Sequence, residues 1–190
     1  MEAPVLATER LTLRGFLPGD ADAFSGILAD RTAMWDLWTI PDIPRDPRDY
    51  ADIYVGGSIA SWRNSGYGFW AVWMRPPALS REAELIGFCG FVIDSHTNIR
   101  PPEGLEMGWG LRPDFQGRGL ALEAATAAAT YGFRGLGVAR LIAITSPENA
   151  PSRKLMGRLG FSFTETTPAY GEDSVLYSLS REAFEKIPAS

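Results

Sequence analysis

From Leu105 to Tyr131 the chain reads LEMGWGLRPDFQGRGLALEAATAAATY. That is a strand, a glycine-bearing loop and a helix in immediate succession, and no other stretch constrains the fold as strongly. Leu105, Met107, Trp109 and Leu111 alternate with Glu106, Gly108 and Gly110, the period of two that a pleat imposes. One face is bulky and apolar. The other carries a single carboxylate and two positions without side chains. Glycine weakens a strand interior, so two on one face predict a bulge or something lying close against the backbone. Arg112-Pro113-Asp114-Phe115 then turns the chain into Gln116-Gly117-Arg118-Gly119-Leu120-Ala121, and an alanine-rich helix runs on to Tyr131 or Phe133. A helix start leaves its first backbone N–H groups unpaired and presents the positive end of the helix dipole. Fed by a glycine loop, it is an anion site, most often for phosphate. The order predicts an elongated phosphorylated ligand whose far end lies near the exposed strand backbone and Glu106.

Two familiar phosphate motifs fail here. The dinucleotide fingerprint G-x-G-x-x-G meets Leu122 at its third glycine, and the Walker loop needs a Gly-Lys-Ser/Thr that is missing. Gln116 to Ala121 fits Q/R-x-x-G-x-G/A instead. A second block, Asn149-Ala150-Pro151-Ser152 followed by Arg153 to Leu159 and Gly160-Phe161, comes after a short strand from Arg140 to Thr145. Together these resemble the acyl-CoA loop and the N-x-x-S…L-G-F segment of the GNAT (GCN5-related) N-acetyltransferases, in that family's order. The opening Thr8-Glu9-Arg10-Leu11-Thr12-Leu13-Arg14 is similar to the ribosomal-protein N-terminal acetyltransferases, the RimJ/RimL-like branch. The resemblance runs from Thr8 to about Leu179; it is densest between Glu106 and Phe161 and weakest between Thr32 and Arg63.

Bulk properties narrow the class. At 190 residues the chain fits one domain, expected to span 1–190, with a sizeable core. No apolar run approaches the roughly 20 residues a spanning helix needs, and MEAPVLATER lacks the basic and apolar regions of a signal peptide. One cysteine, Cys89, cannot close an internal disulfide, which fits a reducing cytoplasm. A formal net charge of −5 without a basic run argues against nucleic acid and favours a cationic substrate such as an amine.

Taken in order, 10–16 reads as a strand, Asp20 as the cap of a helix to about 29, and 31–47 as loop or irregular helix. Residues 50–63 regain a helical period, with Gly56-Gly57 weakening the middle. Phe69 to Met74, Leu85 to Ile93, Leu105 to Leu111, Arg140 to Thr145, Phe161 to Glu165 and Ser174 to Leu179 read as strands. This alternation predicts an α/β (α+β) fold: a mixed sheet of six to seven strands flanked by helices. That is also the GNAT order.

The resemblance implies that the ligand is acetyl-CoA, acting as co-substrate with no metal. Backbone N–H groups of Gln116, Gly117, Arg118, Gly119, Leu120 and Ala121 would hold its phosphates. The pantetheine arm would pair along Trp109, Gly110 and Leu111 like an added strand. Acyl transfer from a thioester needs a neutral amine, so a base must take a proton. Glu106 is the candidate, either as that base or as an anchor for the substrate ammonium. In the family the asparagine matched by Asn149 contacts the arm or the substrate, and the hydroxyl matched by Ser152 can protonate the departing thiolate. The bland readings of these two are a helix cap and a first-turn residue. Many relatives use a tyrosine for the acid step, and none lies between Asn149 and Phe161. Trp35 and Trp38 stand among prolines with Asp36 and Asp42, where this branch walls its acceptor cleft, and such a wall suits a protonated amine. Tryptophans are more often core.

The expectation is therefore a cytoplasmic acetyl-CoA-dependent N-acetyltransferase acting on a protein N-terminal or small-molecule amine, with a homodimer as one possible assembly. The rivals are a non-catalytic acyl-CoA-binding module on the same scaffold and a nucleotide-binding regulatory domain.

Overall fold

Aromatic and β-branched residues from Phe69 to Met74, and the apolar run of the following strand, place these two segments side by side in the interior of a sheet. The computed structural model describes residues 1–29, 46–75, 83–92 and 97–187. Its elements are β1 (Leu6–Ala7), β2 (Leu11–Gly15), a 3-10 turn (Pro18–Asp20), α1 (Ala21–Leu28), α2 (Pro47–Ser65), β3 (Phe69–Met74), β4 (Glu84–Val92) and β5 (Gly104–Leu111). A second 3-10 turn (Pro113–Phe115) leads to α3 (Leu120–Thr130), which ends in a π turn (Tyr131–Gly135). Then come β6 (Arg140–Thr145), α4 (Ala150–Arg158), β7 (Ser162–Ala169), β8 (Glu172–Ser180) and α5 (Arg181–Glu185).

The strands make one mixed sheet in the order β1-β2-β3-β4-β5-β6-β8-β7. Every adjacent pair is antiparallel except β5 with β6, which run parallel. The expected class is met, with eight strands among the described residues where the pattern predicts six to seven. The extra one is β1, two residues paired Leu6↔Leu13 and Ala7↔Thr12, too short to leave a periodic signal. β7 runs four residues past its expected end, through Pro168. Proline is tolerated there because β7 is an edge strand and its missing N–H costs no ladder bond. Asp20 is not the side-chain cap expected of it. Its carboxylate instead accepts from Leu17 N–H at 2.8 Å and from both terminal nitrogens of Arg14 at 2.8 and 2.9 Å.

The core lies on both faces of the sheet. On one, Leu105, Met107 and Leu111 of β5 join Trp70, Ile86 and Phe91 against α3. That helix meets the sheet through Ala124, Ala125, Ala128 and Ala129, all buried. Side chains of one carbon let a helix lie close, so a larger residue such as Ala128→Leu is expected to overpack at a cost of about 1–3 kcal/mol. On the other face α1 and α2 cover Ala71, Leu85 and Phe88. None of the helices among the described residues is long and apolar enough to cross a membrane.

Candidate active site

The parallel pair at the centre of the sheet comes apart. β5 and β6 are joined at Gly104↔Arg140, Leu105↔Leu141 and Glu106↔Ile142, and there the pairing stops. Past Glu106, β5 continues to Leu111 on β4, and past Ile142, β6 continues to Thr145 on β8. Two strands so held on their outer sides leave facing edges with a wedge between them and Glu106 at its vertex.

The identity of the backbone groups that face the wedge follows from ladder parity. Residues across an antiparallel pair alternate between exchanging hydrogen bonds and turning them outward. Arg112 N–H donates to Ile86 O at 2.9 Å, so Gly110 and Gly108 also bond to β4 while Trp109 and Leu111 point their backbone into the wedge. The Leu111 carbonyl is taken by the Gln116 side-chain amide at 2.8 Å. Trp109 and the Leu111 N–H remain facing the gap. Gly108, on the opposite pleat, lies close against the Phe69 ring: a Cβ there would stand only 3.3 Å from it.

At the open end of this arm lies the glycine loop. Gly117 has φ 69 and Gly119 φ 79, both in the left-handed region that L side chains avoid. A Cβ at Gly117 would meet nothing within 4 Å, so the loop opens on space. Gly119 is the N-cap of α3 and makes no side-chain cap bond, so no cap occupies the leading N–H groups of the helix. Gln116 N–H is occupied by Pro113 O at 3.1 Å, so the donors on offer begin at Gly117, and Gln116 itself braces the strand end. Arg112 ties the approach by bonding Glu84 at 2.6 Å and Asp114 at 2.6 and 3.1 Å, and it stands 5.0 Å from the centre of the Phe115 ring. Hydrogen bonding to Arg112 holds the Asp114 carboxyl below its ordinary range. Arg118 stacks over the other cation's partner, Phe115, at 5.3 Å. Left-handed glycines, open space and an uncapped helix start fit a pyrophosphate, and the outward backbone of Trp109 fits an extended arm.

At the vertex Glu106 is 3 % exposed, flanked by Val92 on β4 and Ile142 on β6. Its Oε1 accepts a hydrogen bond of 2.6 Å from the Tyr170 hydroxyl. Tyr170 and Gly171 form the two-residue turn between Ala169 and Glu172, with φ 54 and 87. Positive φ at both central positions makes the turn that suits a hairpin's twist, and Asn-Gly is its usual occupant. A tyrosine held there is an outlier that the surroundings must sustain. The sequence reading missed Tyr170. Its only mark is a Tyr-Gly turn, 64 residues from the carboxylate it reaches.

The other arm of the wedge ends in α4. Asn149 is its N-cap, accepting from Ser152 N–H at 3.1 Å, and Ser152 is half-buried in the first turn. Both residues thus sit just beyond the end of β6, across the wedge from Trp109. Trp35, Trp38 and His96 lie outside the described residues. Cys89 is fully buried opposite Trp109, and burial pushes its thiol up to about 12, so it is inert. Among the described residues no group of three metal-ligating side chains occurs.

Residues 10–162 match the family model described as an acetyltransferase (GNAT) domain. The chain belongs to the GNAT acetyltransferases. It is 32% identical over 159 residues to the uncharacterized N-acetyltransferase p20 of Bacillus licheniformis, covering 82% of this chain and 81% of that protein. An acetyltransferase structure from Agrobacterium tumefaciens superposes with a TM-score of 0.72 at 26% identity, over 95% of this chain and 96% of the other. RimL, the ribosomal L7/L12 alpha-N-protein acetyltransferase solved with coenzyme A, shares the fold with a TM-score of 0.74 at 18% identity, over 95% and 99% of the two chains. As a member of this family the protein is an acetyl-CoA-dependent N-acetyltransferase.

Proposed function

We propose that the enzyme moves the acetyl group to a primary amine by direct attack on the thioester, across the wedge between β5 and β6. The observation that carries this reading is the parting of those strands at a buried carboxylate, beside a loop with two left-handed glycines at a helix start. Acetyl-CoA reaches the wedge from the α3 side, its phosphates on the N–H groups from Gly117 to Ala121, with Arg118 adding charge. Its arm runs along Trp109, Gly110 and Leu111, and Asn149 meets it from the other arm. The amine arrives from the opposite face, where Glu106 projects. Glu106 takes the ammonium proton, directly or through water, and the Tyr170 hydroxyl holds the carboxylate in place. The thioester carbonyl is polarised by outward N–H groups of the Gly108 to Leu111 stretch, Trp109 foremost by ladder parity. Ser152 protonates the departing thiolate, and the second amine proton, shed as the amide forms, restores its hydroxyl. The enzyme acts as one domain, in a cytoplasm that keeps Cys89 reduced.

The acceptor is a protein N-terminal α-amine or a small-molecule amine, with Trp35 and Trp38 proposed for its wall. The test is thiol release from acetyl-CoA against peptides with free N-termini and against amino-acid amides, polyamines and aminoglycosides, with Glu106→Gln in parallel. Turnover on one class, lost in Glu106→Gln while CoA still binds, supports the reading. Tight CoA binding with no turnover on any amine favours the non-catalytic binding module.

A further inference from the structure

The turn between β1 and β2 reaches across the molecule to the start of α3. Glu123, in the first turn of that helix, is gripped there from three sides. Its Oε1 accepts from the Thr8 hydroxyl at 2.6 Å and from Arg10 N–H at 2.8 Å, and its Oε2 accepts from Arg10 Nε at 2.7 Å. A second guanidinium nitrogen of Arg10 stands 2.7 Å from the same oxygen, making the pair a two-pronged fork. The third prong, Arg10 Nη1, donates to the carbonyl of Arg118 at 2.9 Å, in the middle of the glycine loop. A Cβ placed on Gly119 would stand 3.6 Å from Arg10. One side chain, 108 residues upstream of the loop, thus holds the loop's backbone and the helix behind it together.

The electrostatics give this grip a function. A helix N-terminus attracts anions, but a carboxylate in its first turn opposes a second anion arriving there. Arg10 cancels that charge and remains 41 % exposed beside the loop.

We propose that Arg10 is a positioning residue for coenzyme A. It fixes the Gly117 to Gly119 turn through Arg118 O and neutralises Glu123, so that the phosphates meet a preformed cradle without a competing negative charge. This rests on the reading of Gln116 to Ala121 as that cradle. Removing Arg10 loses the brace and exposes the carboxylate; removing Glu123 loses only a tether. The two changes therefore have unequal and non-additive effects on the same binding constant.

The experiment is calorimetric titration of the full chain with coenzyme A, which needs no acceptor, alongside each variant's Tm. Arg10→Gln is expected to raise the Kd about tenfold or more, Glu123→Gln to change it by less than about threefold, and the double variant to recover much of the Arg10→Gln loss. A folded Arg10→Gln protein that binds coenzyme A within twofold of the parent would overturn the proposal, whatever its Tm. So would a double variant as weak as Arg10→Gln or weaker. If Arg10→Gln does not fold, Arg10→Lys keeps the charge without the fork; a loss of several-fold supports the proposal and native affinity sinks it. Gly119→Val runs beside them. Native affinity there means that the cradle reading has failed, while weakened Gly119→Val with unaffected Arg10→Gln means that only Arg10 is misassigned.

Discussion

The two halves of the proposed site are built in different ways. The coenzyme half is nearly all one piece of chain: β5, its turn, the glycine loop and α3 follow each other from Gly104 to Thr130. The acceptor half is assembled from distance, with Glu106 meeting Tyr170 across 64 residues at the tip of the β7–β8 hairpin. The proposed cradle would work through backbone N–H groups that any sequence with the right φ angles supplies, which makes its chemistry generic. A carboxylate buried between Val92 and Ile142 works only if a second element delivers a partner to it. Specific reactivity is therefore placed where long-range packing decides the geometry.

The sharpest way to separate the halves is to damage each and see which kinetic constant moves. Glu106→Gln keeps the shape and removes the proposed base, and should lower kcat by about 10²–10⁴ while leaving the coenzyme Kd within a few-fold, as read by thiol release and calorimetry. A kcat close to the parent's would reassign Glu106 as an anchor or as structure. Gly119→Val does the reverse. A β-branched residue at φ 79 costs about 1–3 kcal/mol and distorts the turn that aims the loop's N–H groups, so the Kd for coenzyme A should rise ~10–100-fold. Tyr170→Phe tests the distant contact: it keeps the ring in its turn and removes one hydrogen bond to a carboxylate. A fall in kcat of about tenfold with unchanged coenzyme Kd is expected, and little further loss when it is combined with Glu106→Gln.

That contrast also sets what could be read in advance. The glycine loop was legible as a helix start from glycine, glutamine and alanine at fixed spacing, and there Gly117 and Gly119 adopt positive φ. Most strands were legible from aromatic and β-branched runs. β1 was not, because two residues carry no period; the full length of β7 was not, because Pro168 reads as a stop unless the strand is known to be an edge. Tyr170 was invisible since a turn sequence says nothing of what its side chain reaches. The role proposed for Arg10 is hidden differently: the segment Thr8 to Arg14 resembles the family's opening, but its contact with Glu123 exists only after β2 and α3 have packed.

That contact offers the smallest and most local of the expected effects. Burial pushes the Glu123 carboxyl up, but the hydrogen bonds from the Thr8 hydroxyl, the Arg10 N–H and the Arg10 side chain, together with its charge, outweigh this and leave it below the ordinary 4.5. A carboxylate lowered in the folded state contributes stability that is fully present above its unfolded value and lost as pH falls through the folded one. The parent should therefore melt a few degrees above Glu123→Gln from pH 8 down to about 5, and the gap should close below 4.5 as the acid protonates. Thermal melts of the two proteins across that range check it. A gap that persists unchanged into acid would mean that Glu123 contributes shape rather than charge. The balance against Arg10 would then have to be sought in the loop's geometry alone, held through the carbonyl of Arg118.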